Sequence, residues 1–349
     1  MKIAMFGIKG MPVPAGAENV AEQIGSRLVA RGHVVTVYVR PHYTWFTSKA
    51  YKGMRLVHLP SIPTKNFDAI THGFLSSLAV LASDADIAHI HSTGNSIFAF
   101  LPRLRGIKTV VQSHGLDWQR SKWGRLAKLY LHLTDYSTVH FPNAVTAVSR
   151  KLTNYYQNLT RRKVIYIPNG IASIERRSPD LIHSYGLKGN DFIFFAARLV
   201  PEKGAHYLIE AYKRIKTNKK LVIAGDGTFN DPYAAKLKSH ANEQIIFPGF
   251  VHGSLLQEFL SNAYLYVLPS EIEGLSTGLL EAMNYGNCVL VSNIEENMEA
   301  IGDSGFTFNR GDVDDLESTL KRLINESELV IDYRNRASMY VRSCFDWKE

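Results

Sequence analysis

The chain has 349 residues, 45% of them hydrophobic and 21% charged; this suits two globular domains with full cores and excludes disordered, collagen-like and low-complexity classes. Its longest apolar stretches, 74–82 and 97–102, fall well short of the ~20 residues a membrane span needs, and two cysteines, Cys288 and Cys344, are too few for a disulfide framework or a metal site and read as thiols of a cytoplasmic protein. The net charge of +8 is uneven, with 21 Lys+Arg against 7 Asp+Glu in residues 1–170 and 19 against 25 in residues 171–349, so the basic half is expected to face something anionic: nucleic acid, a membrane surface or a phosphorylated acceptor.

Met1-Lys2 leads directly into the strand-like run Ile3–Ile8 with no cleavage site, so no signal peptide is expected. Further short β-branched runs follow at Val34–Val39, Arg55–Leu59, Ile87–His91, Thr109–Gln112, Ala144–Val148 and Val164–Ile167. Helical stretches separate several of them, clearest at Glu18–Arg31, where Val20, Ile24, Leu28 and Val29 share a face. The pattern restarts at Phe192–Ala196 and continues through Leu221–Ala224, Ile245–Phe247, Tyr264–Leu268, Val289–Ser292 and Phe306–Phe308. Alternating strands and helices predict an α/β fold of two tandem Rossmann-like, doubly wound domains facing across a cleft. The expected divisions are a basic domain over 1–170, a hinge over 171–190, a second domain over 191–335 and a final segment, 336–349, expected to return toward the first domain.

Open α/β sheets bind ligands beyond the carboxyl ends of their strands, so the residues after each strand carry the chemistry. After the first strand, residues 7–18 lack the G-x-G-x-x-G dinucleotide fingerprint, contain two prolines, and place Gly16 at a helix start. There it would let an anion reach backbone N–H groups; the alternative is a tight turn with Glu18 as a first-turn charge. After Phe192–Ala196 come Arg198 and Lys203, two cations at a strand end beside a helix start, suited to a diphosphate. After Tyr264–Leu268, Glu273 and Glu281 flank Gly274 and Gly278 at a loop–helix junction. That junction offers carboxylates and backbone donors to a polyhydroxyl ligand, unless Ser276 or Thr277 merely caps the helix.

These residues together resemble the GT-B retaining glycosyltransferases of family four, over nearly the whole chain. Further matches stand at Pro168-Asn169-Gly170, Ala224-Gly225-Asp226-Gly227, Pro248-Gly249-Phe250-Val251 and Gly302-Asp303-Ser304-Gly305. Gly115-Leu116-Asp117-Trp118-Gln119-Arg120-Ser121-Lys122-Trp123 is similar to the bacterial rhamnosyltransferase-type branch that builds surface polysaccharides. The resemblance implies that Arg198 and Lys203 hold a donor diphosphate, Glu281 the ribose hydroxyls, and the backbone around Gly249, Phe250 and Val251 the edge of the base. It implies that Glu273 contacts the transferred sugar, that Gly278 and Leu279, with Leu280 beside them on the donor side, offer backbone N–H groups to that sugar or to the phosphate, and that His114 faces the sugar from the first domain. Taken alone, a lone histidine reads as structural. The family usually ends in a helix that returns to the first domain; this sequence stops at Phe345-Asp346-Trp347-Lys348-Glu349, where that helix would begin, so truncation or looser closure is expected.

The implied activity is transfer of a hexose or deoxyhexose from a nucleotide-diphosphate sugar to a glycan, with a lipid-linked saccharide as the expected acceptor. Competing readings are a nucleotide-sugar epimerase, a phosphorylase (for which no Schiff-base lysine is assignable), or a non-catalytic sugar- or nucleotide-binding module. No cofactor and no metal are expected. Asp84-Ala85-Asp86 precedes a strand instead of following one, Asp312 starts a helix, and His89 and His91 alternate along a strand as core residues do. Arg120, Lys122, Arg125 and Lys128, interleaved with Trp118, Trp123, Leu126 and Tyr130, predict one basic, apolar helix. That helix would meet an acceptor or an anionic leaflet, making the protein peripheral on the cytoplasmic face. No nucleic-acid recognition module is apparent.

Overall fold

A computed structural model describes every residue except Trp45, Lys65, 120–122, 228–230 and 348–349. The chain forms two compact units, Met1–Pro168 and Asn169–Glu349. In the first, the order is β1 (Lys2–Phe6), α1 (Gly16–Ala30), β2 (Val34–Val39), β3 (Ala50–Tyr51), β4 (Met54–His58), α2 (Asp68–Leu81), β5 (Ile87–Ile90), α3 (Phe100–Arg103), β6 (Lys108–Ser113), α4 (Arg125–His140), β7 (Ala144–Ala147), α5 (Arg150–Asn158) and β8 (Val164–Tyr166). The strands lie in the order β3-β4-β2-β1-β5-β6-β7-β8. All are parallel except β3, which pairs antiparallel with β4 in a short hairpin. At two residues, β3 is too short to leave a periodic signal in the sequence.

Strand β1 shows why the sheet is covered on both sides. Successive side chains point to opposite faces. Ile3 and Met5 pack with Val35, Val37, Leu56 and Ala21 of α1, while Ala4 and Phe6 pack with Ile90, Val111 and Val80 of α2. A strand buried on both faces needs a near-continuous apolar run, and Ile3-Ala4-Met5-Phe6 supplies one.

The second unit contains β9 (Phe192–Ala196), α6 (Ala205–Lys213), β10 (Lys220–Ala224), α7 (Pro232–Lys238), β11 (Ile245–Gly249), α8 (Gly253–Asn262), β12 (Leu265–Leu268), α9 (Thr277–Asn284), β13 (Cys288–Ser292), α10 (Glu295–Ile301), β14 (Phe306–Phe308), α11 (Val313–Asn325) and α12 (Ser327–Cys344). Its sheet runs β11-β10-β9-β12-β13-β14, every pair parallel. Central β9 is buried from Phe192 to Phe195. Ile193 and Phe195 meet Leu208, Leu316 and Leu320 on one face; on the other, Phe194 stacks on Phe259 of α8 with ring centroids 5.2 Å apart.

Residues 171–190, expected as a hinge, are tied into this second unit. Ile182 and Leu187 are buried, and the Glu258 carboxylate accepts the Leu181 and Ile182 amides at 2.6 and 3.2 Å. Residue 336 does not start a separate element: residues 336–344 are the last part of α12, whose Val330, Ala337 and Val341 are buried and which packs on α9 and β13 within this unit. Arg342 Nε donates to Asn284 Oδ1 at 3.0 Å, the Phe345 carbonyl accepts the Ile171 amide at 2.7 Å, and Trp347 lies over Gly170.

Gly204, which caps the start of α6 with φ +69°, leaves no room for a side chain: a Cβ there would lie 2.0 Å from the Pro269 carbonyl oxygen. Gly253 has a similar φ of +57° and nothing within 4 Å. Gly253→Ala is therefore expected to cost only the left-handed penalty of roughly 1–2 kcal/mol. Gly204→Ala should cost clearly more, because the loops after β9 and β12 must separate. Urea unfolding of the two variants checks the ranking; equal losses would show that the contact with Pro269 is not what requires glycine.

Candidate functional site

In the second sheet the chain order runs outward from β9 through β10 to β11, and in the opposite direction from β12 through β13 to β14. Loops leaving β9 and β12 therefore diverge, and the crevice between them is where an open α/β sheet takes its ligand. Both strands end in the segments that carry the candidate residues. The loop after β9 is fixed at Leu199, which is buried and donates its amide to the Asp226 carbonyl at 2.9 Å. Arg198 beside it is exposed, and a short 3-10 turn, Pro201–Lys203, follows. The loop after β12 is tied to this one where the Glu271 amide donates to the Glu202 carbonyl at 2.9 Å.

Across this junction Lys203 Nζ and Glu273 Oε1 form an ion pair at 2.5 Å, their side chains only 16% and 7% exposed. Seventy residues separate the two in sequence. A pair this enclosed is sensitive to loss of either partner, since the survivor remains buried and uncompensated. Tyr266, within β12, donates to the Ala196 carbonyl at the end of β9 at 3.2 Å. Burial, with Glu273 and Glu281 both nearby, raises its phenol far above the ordinary value, keeping it a neutral donor. Gly278 sits over this bond, its Cβ direction 3.4 Å from the Tyr266 hydroxyl.

Helix α9 starts with Ser276, whose Oγ accepts the Leu279 amide at 3.3 Å, while the Ser276 carbonyl accepts the Leu280 amide at 3.1 Å. The capping alternative for Ser276 is thus realised, and the Leu279 amide, expected to point at a ligand, has an intrahelical partner. Leu279 and Leu280 are buried and anchor the helix, leaving Gly278 as the residue that presents backbone above the β9–β12 junction. Glu281, one turn further on, keeps part of its surface exposed, yet its carboxyl is enclosed enough that burial pushes its pKa up to about 7.

Gly249 ends β11, and its carbonyl accepts the Gly225 amide at 2.8 Å, joining the ends of β10 and β11. Phe250 is 56% exposed, while Val251 is buried. In the first unit the switch falls between β1 and β5. Gly16 opens α1 as expected, and Glu18 does more than complement the helix dipole: it is buried and accepts the Lys9 amide at 3.0 Å, holding the loop after β1. His114, after β6, is half-buried and stacks on His91, with ring centroids 5.6 Å apart and Nε2 3.4 Å from His91 Nδ1. Burial drives His91 well below its ordinary pKa and His89 to about 4, so both are neutral near pH 7.

Among the described residues, Trp118 and Tyr130 do not share the single helix expected for them. Trp118 lies in a separate 3-10 turn, Asp117–Gln119, and stacks on His132 at 4.2 Å. The helix begins only at Arg125, after Gly124. Tyr130 turns inward, donating to the Gly94 carbonyl at 2.9 Å. Arg120 and Lys122 lie outside the described residues. Both acidic motifs have structural partners: Asp84 pairs with the Lys2 ammonium, Asp86 accepts the Lys2 amide at 2.7 Å, and Asp312 caps α11 by accepting the Asp314 and Asp315 amides, each at 3.0 Å.

Two supports of the site were not read from the sequence. Asn169 Nδ2 donates to the Leu275 carbonyl at 3.2 Å, which explains what the Asn in Pro168-Asn169-Gly170 does: it steadies the loop carrying Glu273. Tyr207 of α6 donates to Glu271 Oε1 at 2.5 Å, fastening the same loop to the helix behind Lys203. Tyr207 counts as core by helical spacing, and no local signal distinguishes a tyrosine whose hydroxyl reaches a loop 64 residues away.

Comparison with known proteins identifies the family and the fold. Residues 14–173 match the model of Glycosyltransferase Family 4, and residues 179–342 that of Glycosyl transferases group 1. Between them the two models account for most of the chain, which belongs to this glycosyltransferase family. An uncharacterized glycosyltransferase of Methanocaldococcus jannaschii is 37% identical over 123 residues, 34% of this chain and 31% of that protein. An Escherichia coli UDP-Gal:alpha-D-GlcNAc-diphosphoundecaprenol alpha-1,3-galactosyltransferase is 31% identical over 160 residues, 43% of this chain and 41% of that one. The matched stretches thus span well under two thirds of these relatives. Among solved structures, sucrose-phosphate synthase from Thermosynechococcus elongatus superposes with a TM-score of 0.86 at 17% identity, covering 99% of this chain and 95% of that one. Anabaena HepE in complex with UDP-glucose gives 0.82 at 18% identity, covering 99% and 96%. At such identities the likeness shows the shared GT-B fold, two Rossmann-like sheets.

The raised Glu281 carboxyl makes a test of the site's energetics. Its folded pKa of about 7 lies above the ordinary glutamate value of 4.5, so the folded state holds a proton that the unfolded state releases between those values. Stability from this group is therefore fully present below about pH 4.5 and lost as pH rises through about 7. Glu281→Gln should remove this slope and be more stable than wild type at pH 8 by roughly 1–3 kcal/mol. Urea titrations of both proteins at pH 5 and pH 8 measure it; identical pH dependences would mean the carboxyl ionises freely.

Proposed function

We propose that this chain is a retaining, metal-independent glycosyltransferase. It moves a hexose or deoxyhexose from a nucleotide-diphosphate sugar to a lipid-linked saccharide, at the cytoplasmic face of a membrane, in surface polysaccharide or glycoconjugate synthesis. The observation that carries the reading is the convergence of Lys203 and Glu273 at the β9–β12 switch point, with Arg198 on the first loop and Glu281 one turn into α9. A relative whose name specifies a diphosphoundecaprenol-linked acceptor and a fold neighbour crystallised with UDP-glucose support the choice of acceptor and donor class.

In this reading Arg198 and Lys203 bind the donor diphosphate, Lys203 sharing its charge between phosphate and Glu273. Glu281 accepts from the ribose hydroxyls, Gly249–Val251 border the base, and Glu273 orients the transferred sugar. The bond between anomeric carbon and diphosphate oxygen breaks while the acceptor hydroxyl attacks from the same face, and its proton passes to the leaving phosphate oxygen. Negative charge then grows on the diphosphate, where the two cations are already in place; removing one such donor typically raises the barrier by ~3 kcal/mol. Two positive charges beside the diphosphate also take the part a divalent ion would otherwise play.

Arg198→Ala is expected to lower transfer about a hundredfold with only a small change in melting temperature, because contacts of an exposed cation contribute little to stability. Lys203→Ala should lose as much activity and some stability too, since it strands the enclosed Glu273 carboxylate. Product formation and thermal unfolding, measured on both variants, decide; transfer above about a third of wild type in either one contradicts the assignment. Activity should also survive excess EDTA, and loss restored by Mg²⁺ would show that a metal takes part. A thermal-shift panel of UDP, GDP, ADP and dTDP identifies the base, the right one adding ~2.7 kcal/mol at a hundredfold excess over Kd.

A further inference from the structure

Helix α4 is inside out. Its buried positions are Leu131, Thr134, Asp135, Ser137, Thr138 and Val139, mostly polar, whereas Leu126, Leu129, Leu133 and Tyr136 are 84%, 58%, 64% and 62% exposed. Spacings of three, four and three put those four on one stripe of the helix. The inward polar groups explain why the stripe cannot turn toward the core. Ser96, in the 3-10 turn Thr93–Phe98, lies 2.6 Å from Ser137 Oγ, accepts from Thr138 Oγ1 at 3.0 Å and donates to the Thr134 carbonyl at 3.1 Å. This buried network fixes the rotation of α4, and breaking it would strand polar groups. Helix α2, which packs on the same turn, repeats the inversion: Asp68, His72, Ser76 and Ser77 are buried, while Phe74 and Leu78 are exposed.

A soluble surface seldom keeps so continuous an apolar stripe uncovered. We infer that the outer face of α4 inserts into the interfacial zone of an anionic lipid bilayer. Exposed Arg125 opens α4 and exposed Arg103 donates to the Phe141 carbonyl at its other end, in a half of the chain with 21 basic against 7 acidic residues. That charge decides between occupants. A second copy would set one strongly basic surface against another, whereas an anionic leaflet offers an apolar layer and negative headgroups together. Among the described residues no helix is long and apolar enough to cross a membrane, so α4 lies in the plane of the surface. The inference rests on the proposed lipid-linked acceptor only for its purpose.

The test is sedimentation of the purified protein with phosphatidylcholine vesicles and with vesicles also containing phosphatidylglycerol. Wild type should bind the anionic vesicles more tightly, and salt should weaken that binding. The triple variant Leu126→Gln, Leu129→Gln, Leu133→Gln should bind them at least about tenfold more weakly while keeping its circular dichroism spectrum and its response to nucleotide diphosphates. Arg125→Gln should reduce binding to anionic vesicles alone. Three results overturn the inference: unchanged binding by the triple variant, no binding of wild type to either vesicle, or a lipid-free wild-type dimer that the triple variant dissociates. Because sedimentation needs no substrate, a failure of the transferase reading shows separately, as absence of transfer from any nucleotide sugar by protein that still binds vesicles.

Discussion

The reversal of strand order between β9 and β12 governs the second unit. Parallel strands joined by right-handed crossovers place their helices on one face while the sheet grows one way and on the other face once it turns back. At the turning point two loops leave in opposite directions and cannot cover the strand ends between them. The loop with Arg198 and Lys203 and the loop with Glu273 are those two. Their partnership is a consequence of topology, and the Tyr266–Ala196 bond, the Glu271–Glu202 bond and the close fit of Gly204 on Pro269 then set the spacing.

The electrostatics of that crevice are costly by themselves. Glu273 and Glu281 both approach the buried Tyr266, Lys203 gives up hydration to sit against Glu273, and Glu281 is enclosed enough to hold its proton to near neutrality. Charges enclosed in this way are poorly compensated by the protein alone, and the wholly apolar strand β9, packed on both faces, supplies the rigidity that keeps them assembled. Carboxylates and cations held in place beforehand need not reorganise when charge moves during the reaction.

The first unit solves a different problem with the same architecture. Its sheet is covered conventionally by α1, through an apolar interface. On the opposite side, α4 meets the Thr93–Phe98 turn through hydroxyls, with its large apolar residues left outside, while α2 meets it where Gly73 lies against Asn95 and Phe74 against Phe98. Hydrogen bonds are directional, so a polar interface fixes helix rotation more tightly than an apolar one of equal size would. The leucines are therefore held outward by the network behind them.

Much of this was legible in the chain. Nearly every strand was found from short β-branched runs, because strands buried on both faces must be apolar throughout. The identities and strand-end positions of Arg198, Lys203, Glu273 and Glu281 were likewise visible, since sequence alone fixes which residues follow which strand. Rotation and pairing were not. Which side of α4 turns outward is set by Ser96, 38 residues before Thr134, which binds the polar side, and no spacing within the helix reveals that contact. No spacing rule reveals that Lys203 would meet Glu273, that the Leu279 amide would be taken by Ser276, or that Tyr207 would reach Glu271. These depend on contacts between segments far apart in sequence. Local sequence determined which elements form and what chemistry stands at their ends; tertiary packing decided which faces turn inward and which charges meet.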